Sequence, residues 1–342
     1  MKNSYKKFHI MLTACLILAT TCGCTNPLGN LTKTKINDVE LIEIQNPDYT
    51  FTYKTSDGKI IFSNIGQLIF TEGIATIAKD GKYGIVNKSG EYIVEPIYDY
   101  IAEFHDGMCA FFIQDISNGV KIGYFNNKGE VAIEAIPADL QLDSGYSYDY
   151  NFHNGLAMYR QPQTYKYGFI DKSGNFVIEP VYEWAGAFNG KLAPVTKGDK
   201  FGYINTLGTL VIPYKYVFAE VFSDGLAAVY NGTSWGYIDE TGNYVIPSQF
   251  GSFEGHDGEE VANPFIDGYA AVYLGKDQAY RSDVHKGQFA LIDKTGKILN
   301  GKKYDSLNLI YLEPMKPSYE ARLGDKLLTL DTKGNILKEE KY

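Results

Sequence analysis

One bend recurs along this chain. An Asp or Asn stands three residues before a Gly at Asn87–Gly90, Asn126–Gly129, Asp171–Gly174, Asn205–Gly208, Asp239–Gly242, Asp293–Gly296 and Asp331–Gly334. In "YKTSDGKII", Thr55 and Gly58 form an eroded eighth copy. The chemistry of the pair dictates a turn: the first side chain accepts backbone N–H groups two residues on, and Gly takes the positive φ that closes a type I turn with a G1 bulge. Such a turn joins two short antiparallel strands, so a chain that repeats it is committed to tandem β-hairpins.

The flanks agree with that reading. Before the turn stand "KYGIVN", "KIGYFN", "KYGFID", "KFGYIN" and "SWGYID"; after it stand "EYIVEP", "NFVIEP", "TLVIP" and "NYVIP". Both sides alternate as a pleated strand requires. A Gly inside a strand is costly (Gly84, Gly123, Gly168, Gly202, Gly236), and its return at one site predicts that another backbone or an aromatic ring lies against it. The Pro that follows the second strand is expected to end ladder pairing there. An aromatic eight residues past the turn Gly (Tyr98, Tyr182, Tyr216, Phe250, Tyr304, Tyr342) marks each copy except the second, where Pro137 stands. A third strand follows a Phe, a turn and a Gly, as in "FTEGIATI", "FHDGMCAFF", "FHNGLAMY", "FSDGLAAVY" and "FIDGYAAVY". The turn glycines at 174, 208 and 242 set a period of 34 residues, and longer spacings place insertions near 113–120, 137–151, 251–264 and 275–287.

These phrases resemble the WG-repeat, or KWG-repeat, family of bacteria. Trp235–Gly236 carries the literal pair, while other copies have Tyr, Phe or Ile before Gly. The resemblance runs from about Phe70 to Leu337 and implies an exported or surface protein, without naming a ligand. A three-stranded meander cannot bury both faces alone and must stack on its neighbours. The expected fold is all-β: about seven three-stranded repeats in a propeller-like toroid, with an open β-solenoid as the alternative.

The first residues read as an address. Lys2, Lys6 and Lys7 precede an apolar run from Phe8 to about Ala19, then small residues, which is the layout of a signal peptide. The run is short for a membrane span of roughly 20 residues. The ending "TTCGC" resembles the lipobox of bacterial lipoproteins, which implies cleavage after residue 23 and a lipid on Cys24. Thr21 stands where that family usually has Leu, and Cys22 is the competing acceptor. The domain reading is therefore 1–23 signal peptide, 24–47 tether and 48–342 repeat domain. Of the four cysteines, Cys109 alone would remain as a thiol. It aligns with Ala157 and Ala227, so a small buried role is expected.

Composition narrows the function. The net charge is −9, and no clustered Lys and Arg supply a phosphate-binding surface, which argues against nucleic acid. No phosphate loop, dinucleotide fingerprint, C-x-x-C pair or H-E-x-x-H motif occurs, so no cofactor and no metal are expected. The recurring Asp is Asn in three copies, which suits a turn cap and defeats a carboxylate role. His105 and His153 share the phrase F-H-x-G, but other copies carry Thr71, Asn189, Ser223 and Ile266 there. A turn-surface role is expected for both, since a catalytic or metal-binding pair needs the two turns to meet. Glu254, Asp257, Glu259 and Glu260 crowd an inserted loop that lacks EF-hand spacing, and a solvated acidic loop is expected. The 28 Tyr residues fall mostly on the repeat grid, as packing residues. Tyr146, Tyr148 and Tyr150 lie off it and are the candidate ligand surface.

The expected function is a non-enzymatic binding or scaffold module at the bacterial cell envelope, lipid-anchored, engaging an envelope protein or glycan. The rivals are a hydrolase using paired carboxylates on a propeller-like fold, a cell-wall glycan-binding module, and a structural spacer.

Overall fold

The computed structural model describes residues 32–36, 39–71, 73–115, 119–139, 149–251, 253–254, 260–261, 263–275, 288–312 and 316–341. These fall into two compact units, one up to Glu103 and one from Phe104 onward. Cys24, and most of each predicted insertion, lie outside the described residues.

Among the described residues there is no α-helix, and short antiparallel strands follow one another in chain order across small sheets. The first unit holds a four-stranded sheet (Thr32–Ile36, Val39–Gln45, Phe51–Thr55, Ile60–Ile65) and a three-stranded one (Ile74–Lys79, Lys82–Asn87, Tyr92–Tyr98). The second unit carries the most regular copies. One is built of Phe218–Ala219, Ala227–Tyr230, Trp235–Ile238 and Tyr244–Phe250. Sheets of the same order cover 152–182, 184–216 and 306–341. Between them, Tyr269–Tyr273 pairs with Phe289–Asp293 and is widened by bridges from Gly251 and Tyr304. This is the all-β, propeller-like class of sheet expected from the repeat. The structure adds one short strand, such as Trp184–Ala185, at the start of most copies.

The bend forms as the sequence requires. In the copy at 239–242, the Gly242 N–H donates to the Asp239 carbonyl at 2.9 Å, and Gly242 has φ 83°. Asp239 Oδ1 accepts the N–H groups of Thr241 and Asn243 at 2.9 and 3.1 Å. Register then slips between Tyr237 and Ile238, the mark of the G1 bulge. Asn87, Asn126, Asp171, Asn205, Asp293 and Asp331 cap their turns in the same way. The eroded copy closes as well, with Gly58 N–H on the Thr55 carbonyl.

The strand glycines are explained by a second bulge. Pairing runs Tyr237↔Ile246 and then Trp235↔Phe250, so the outer strand carries extra residues opposite Gly236. A Cβ on Gly236 would lie 2.7 Å from the Ser248 nitrogen; on Gly84, Gly168 and Gly202 it would lie 2.5–2.6 Å from the carbonyl oxygens of Val94, Ile178 and Ile212. Backbone therefore fills the place of a side chain. At Gly123 the Phe111 ring does so instead. Pro does not end the strand, as the sequence had suggested. Phe176–Tyr182 and Tyr244–Phe250 run through Pro180 and Pro247, because the missing N–H falls within the bulge, where the ladder already lapses.

Neighbouring sheets in the second unit are held by two recurring contacts. The first is an Ile from the outer strand of one sheet lying over the turn Gly of the next. Ile133 meets Gly174, Ile178 meets Gly208, Ile212 meets Gly242 and Ile246 meets Gly296. A side chain on any of these glycines would crowd the Ile. The second uses the aromatic that follows the strand Gly. Tyr203 stacks 5.0 Å from Phe222 and donates its hydroxyl to the Glu220 carbonyl at 2.7 Å. Tyr237 does the same with Phe265 and Asn263, and Tyr124 with Phe152 and Tyr150. In each case the accepting carbonyl lies two residues before the Phe. At these three positions the ring is buried between sheets while its hydroxyl finds a fixed backbone acceptor.

Candidate functional site

The turns of the phrase F-x-D/N-G place polar groups from successive copies side by side. Asp106, Asn154 and Asp224 sit at positive φ, which Asp and Asn tolerate better than most residues. That conformation swings their side chains onto the next copy. Asp106 Oδ2 accepts the Gly155 N–H at 2.6 Å, and Asp224 Oδ2 accepts the Gly268 N–H at 2.6 Å. Asn154 Nδ2 donates to the Gly190 carbonyl. The hairpin of the following sheet closes the brace: Lys172 Nζ donates to the Asp106 carbonyl, Lys294 Nζ to the Asp224 carbonyl at 2.5 Å, and the Thr332 hydroxyl to Asp267 Oδ2 at 2.7 Å. The polar letters of the repeat are thus spent on joining copies.

One place on this row differs. His105 and His153, from adjacent turns, lie with ring centres 5.5 Å apart and planes at 44°. The sequence reading set the pair aside unless the turns met, and they meet. Asp149 joins them, its Oδ2 2.6 Å from His153 Nε2 and its Oδ1 accepting the Asn151 N–H at 2.9 Å. Burial pushes the Asp149 carboxyl up, but the bonds from His153 and Asn151 and the nearby imidazoles outweigh it, and the group is held below its ordinary range. The Asp149 hydrogen bond raises His153, against burial, with further help from the charges of Asp149 and Asp106. The His153 side chain remains 28% exposed, so the cluster faces solvent. The sequence paired the two histidines through their shared phrase but gave no signal for Asp149, because the meeting depends on how neighbouring sheets stack.

The other expected site residues fare differently. Tyr146 and Tyr148 lie outside the described residues. Tyr150 is buried rather than displayed: it is 8% exposed, faces Phe112 edge-on at 6.5 Å, and lends its carbonyl to Tyr124. In the acidic loop, Glu254 and Glu260 are register partners in a short hairpin, while Asp257 and Glu259 lie outside the described residues. Cys109 is fully buried opposite Phe125, the register position that Ala157 holds opposite Ile170 and Ala227 opposite Ile238. A crevice lined by Trp235, Phe250 and Tyr273 is too tight to admit water. Among the described residues no three His, Cys, Asp or Glu side chains converge on one point as direct metal ligands, and no helix is long and apolar enough to cross a membrane.

Fold and turn network together define a class: a tandem-repeat protein of small β-meanders, its copies tied by Tyr hydroxyls, Ile side chains and turn carboxylates. Four stretches, residues 83–115, 167–201, 201–232 and 235–276, match the family described as WG containing repeat. Each begins at the aromatic that precedes the recurring strand Gly. No curated protein sequence matches the chain. Solved structures similar to it include Hsv2 of Kluyveromyces lactis, 10% identical with a TM-score of 0.40, covering 79% of this chain and 95% of that one. The AfRom2 CNH domain is 10% identical with a TM-score of 0.30, covering 81% and 84%. A protein of unknown function from Bacteroides caccae is 16% identical with a TM-score of 0.26, covering 66% and 91%.

Proposed function

We propose that this chain is a binding or scaffold module rather than an enzyme, exported and held at the bacterial cell envelope by a lipid on Cys24. The observation that carries the binding role is the fate of the repeated polar residues. The caps from Asn87 to Asp331 accept backbone N–H groups within their own turns, and Asp106 and Asp224 accept those of the next copy. A carboxylate used to hold backbone is not free to shuttle protons, and a repeat protein built this way offers an extended surface for a partner. The address is supported by the charged, apolar and small-residue order of the leader and by the Gly23–Cys24 ending. The partner is an envelope protein.

Two measurements test this reading. The full chain, expressed in a bacterium fed an alkyne fatty acid, is expected to take up label that Cys24→Ser abolishes and Cys22→Ser does not. Label that survives Cys24→Ser would overturn the anchor. Cross-linking in intact envelopes, beside a glycan array and assays on peptidoglycan, is expected to capture a protein. Clean binding to a glycan would replace the protein-scaffold reading with the glycan-binding one, and turnover of a glycan would install the hydrolase.

A further inference from the structure

We propose that His105 and His153 form a binding site for a late first-row transition ion, Cu²⁺, Ni²⁺ or Zn²⁺. The first support is geometric. Two imidazole nitrogens each about 2.0–2.1 Å from one tetrahedral ion put their ring centres on the order of 5 Å apart, and these rings stand 5.5 Å apart. The separation of the ring centres is one that a shared ion would require.

The second support is the partner of His153. Its Nε2 is taken by Asp149 Oδ2 at 2.6 Å, which leaves Nδ1 as the coordinating nitrogen. A carboxylate on the far nitrogen is the outer-shell arrangement that fixes a ligand imidazole in orientation and tautomer and raises its basicity. Asp149 is itself held by the Asn151 N–H, and among the described residues no hydrogen bond engages the His105 ring.

The third support is rigidity. The two turns are clamped together by the Asp106–Gly155 bond and by Lys172 on the Asp106 carbonyl, so the site is preorganised by contacts that other copies also make. In those copies the same position is Asn189, Ser223 or Ile266. Ser223 shows the structural use of the position, reaching the Phe265 carbonyl at 2.7 Å. The His pair gives up that use. No third protein ligand converges among the described residues. Imidazole donors favour Cu²⁺, Ni²⁺ and Zn²⁺ over Mg²⁺ and Ca²⁺, with Cu²⁺ the tightest. Neither export nor the envelope partner enters this inference.

The test is titration of the full chain with CuCl₂, and separately with ZnCl₂, followed by calorimetry and by competition with a chromogenic chelator. One ion per chain is expected. His105→Ala and His153→Ala should each weaken binding by about tenfold or more, Asp149→Asn by about tenfold, and His256→Ala and His285→Ala should leave it unchanged. Unaltered affinity in both His105→Ala and His153→Ala, or no binding by the unmodified chain, would overturn the site. Electron paramagnetic resonance of the Cu²⁺-loaded unmodified chain decides the matter if a variant fails to fold. Two equatorial imidazole nitrogens are expected, and one or none sinks the proposal.

Discussion

At the scale of single residues, Lys88 breaks the pattern its equivalents keep. Lys172 and Lys294, at the same place in their hairpins, reach a turn Asp of the preceding sheet. Among the described residues Lys88 reaches none: it is 4% exposed, its Nζ lies 5.1 Å from the centre of the Phe70 ring, and no hydrogen-bond acceptor there meets it. Burial holds its pKa below that of an ordinary lysine. An unpaired buried amine costs stability that an aromatic face offsets in part. Lys88→Met, which keeps the length and removes the charge, is expected to stabilise the fold by about 1–3 kcal/mol, read as a higher denaturation midpoint in urea. An unchanged or lower midpoint would mean that the Phe70 contact repays the whole cost. Sequence alone could not have singled out Lys88, since Lys172 and Lys294 occupy the same turn position.

At the scale of the element, the hairpin bend was readable because it is written many times with one chemistry. Repetition separates a turn requirement from the noise of any single copy. The strand glycine was readable to the same degree: the sequence demanded a close neighbour, and both kinds it allowed are present, backbone at Gly236 and a ring at Gly123. The two-residue opening strands were not readable. Trp184–Ala185 and Phe218–Ala219 are too short to show alternation and exist only because Thr196 and Tyr230 stand beside them to pair. The Asp bends also make an acid prediction. A hydroxyl bond from Thr241 lowers the Asp239 carboxyl, and one from Thr295 lowers Asp293. A depressed folded pKa gives stability that is present above the unfolded value, about 3.9, and is lost as pH falls through the folded value. The double variant Asp239→Asn, Asp293→Asn copies the residue found at Asn87, Asn126 and Asn205. It is expected to keep the fold at pH 7 and to show a shallower loss of thermal stability below pH 4. An acid limb as steep as that of the unmodified chain would count against the caps.

At the scale of the whole molecule, contacts between sheets decide what the repeats can hold together. In the second unit the Ile-over-Gly contact recurs at four junctions from Ile133 to Gly296, so loss of one Ile should weaken one junction and spare the rest. Ile212 is fully buried, and Ile212→Ala is expected to cost about 2–5 kcal/mol. Hydrogen exchange should quicken chiefly in 201–250, the two sheets that share this contact. Uniform quickening across the second unit would mean that the sheets open as one body. The meeting of His105 with His153 belongs to this scale too. Sequence places each in its own turn and marks them as a pair only on the condition that the turns meet; lateral stacking, which no single copy encodes, decides that condition.

The Ile-over-Gly junction carries an evolutionary corollary. Ile212 and Gly242 are the two halves of one joint, and excision of residues 209–242 would remove both at once. Ile178 would keep Gly208, Ile246 would keep Gly296, and the splice would read "TLGNYVIP" where "TLGTLVIP" stood. Recombination between neighbouring gene segments can therefore shorten or lengthen such a chain by whole 34-residue steps and leave no orphaned half-joint behind.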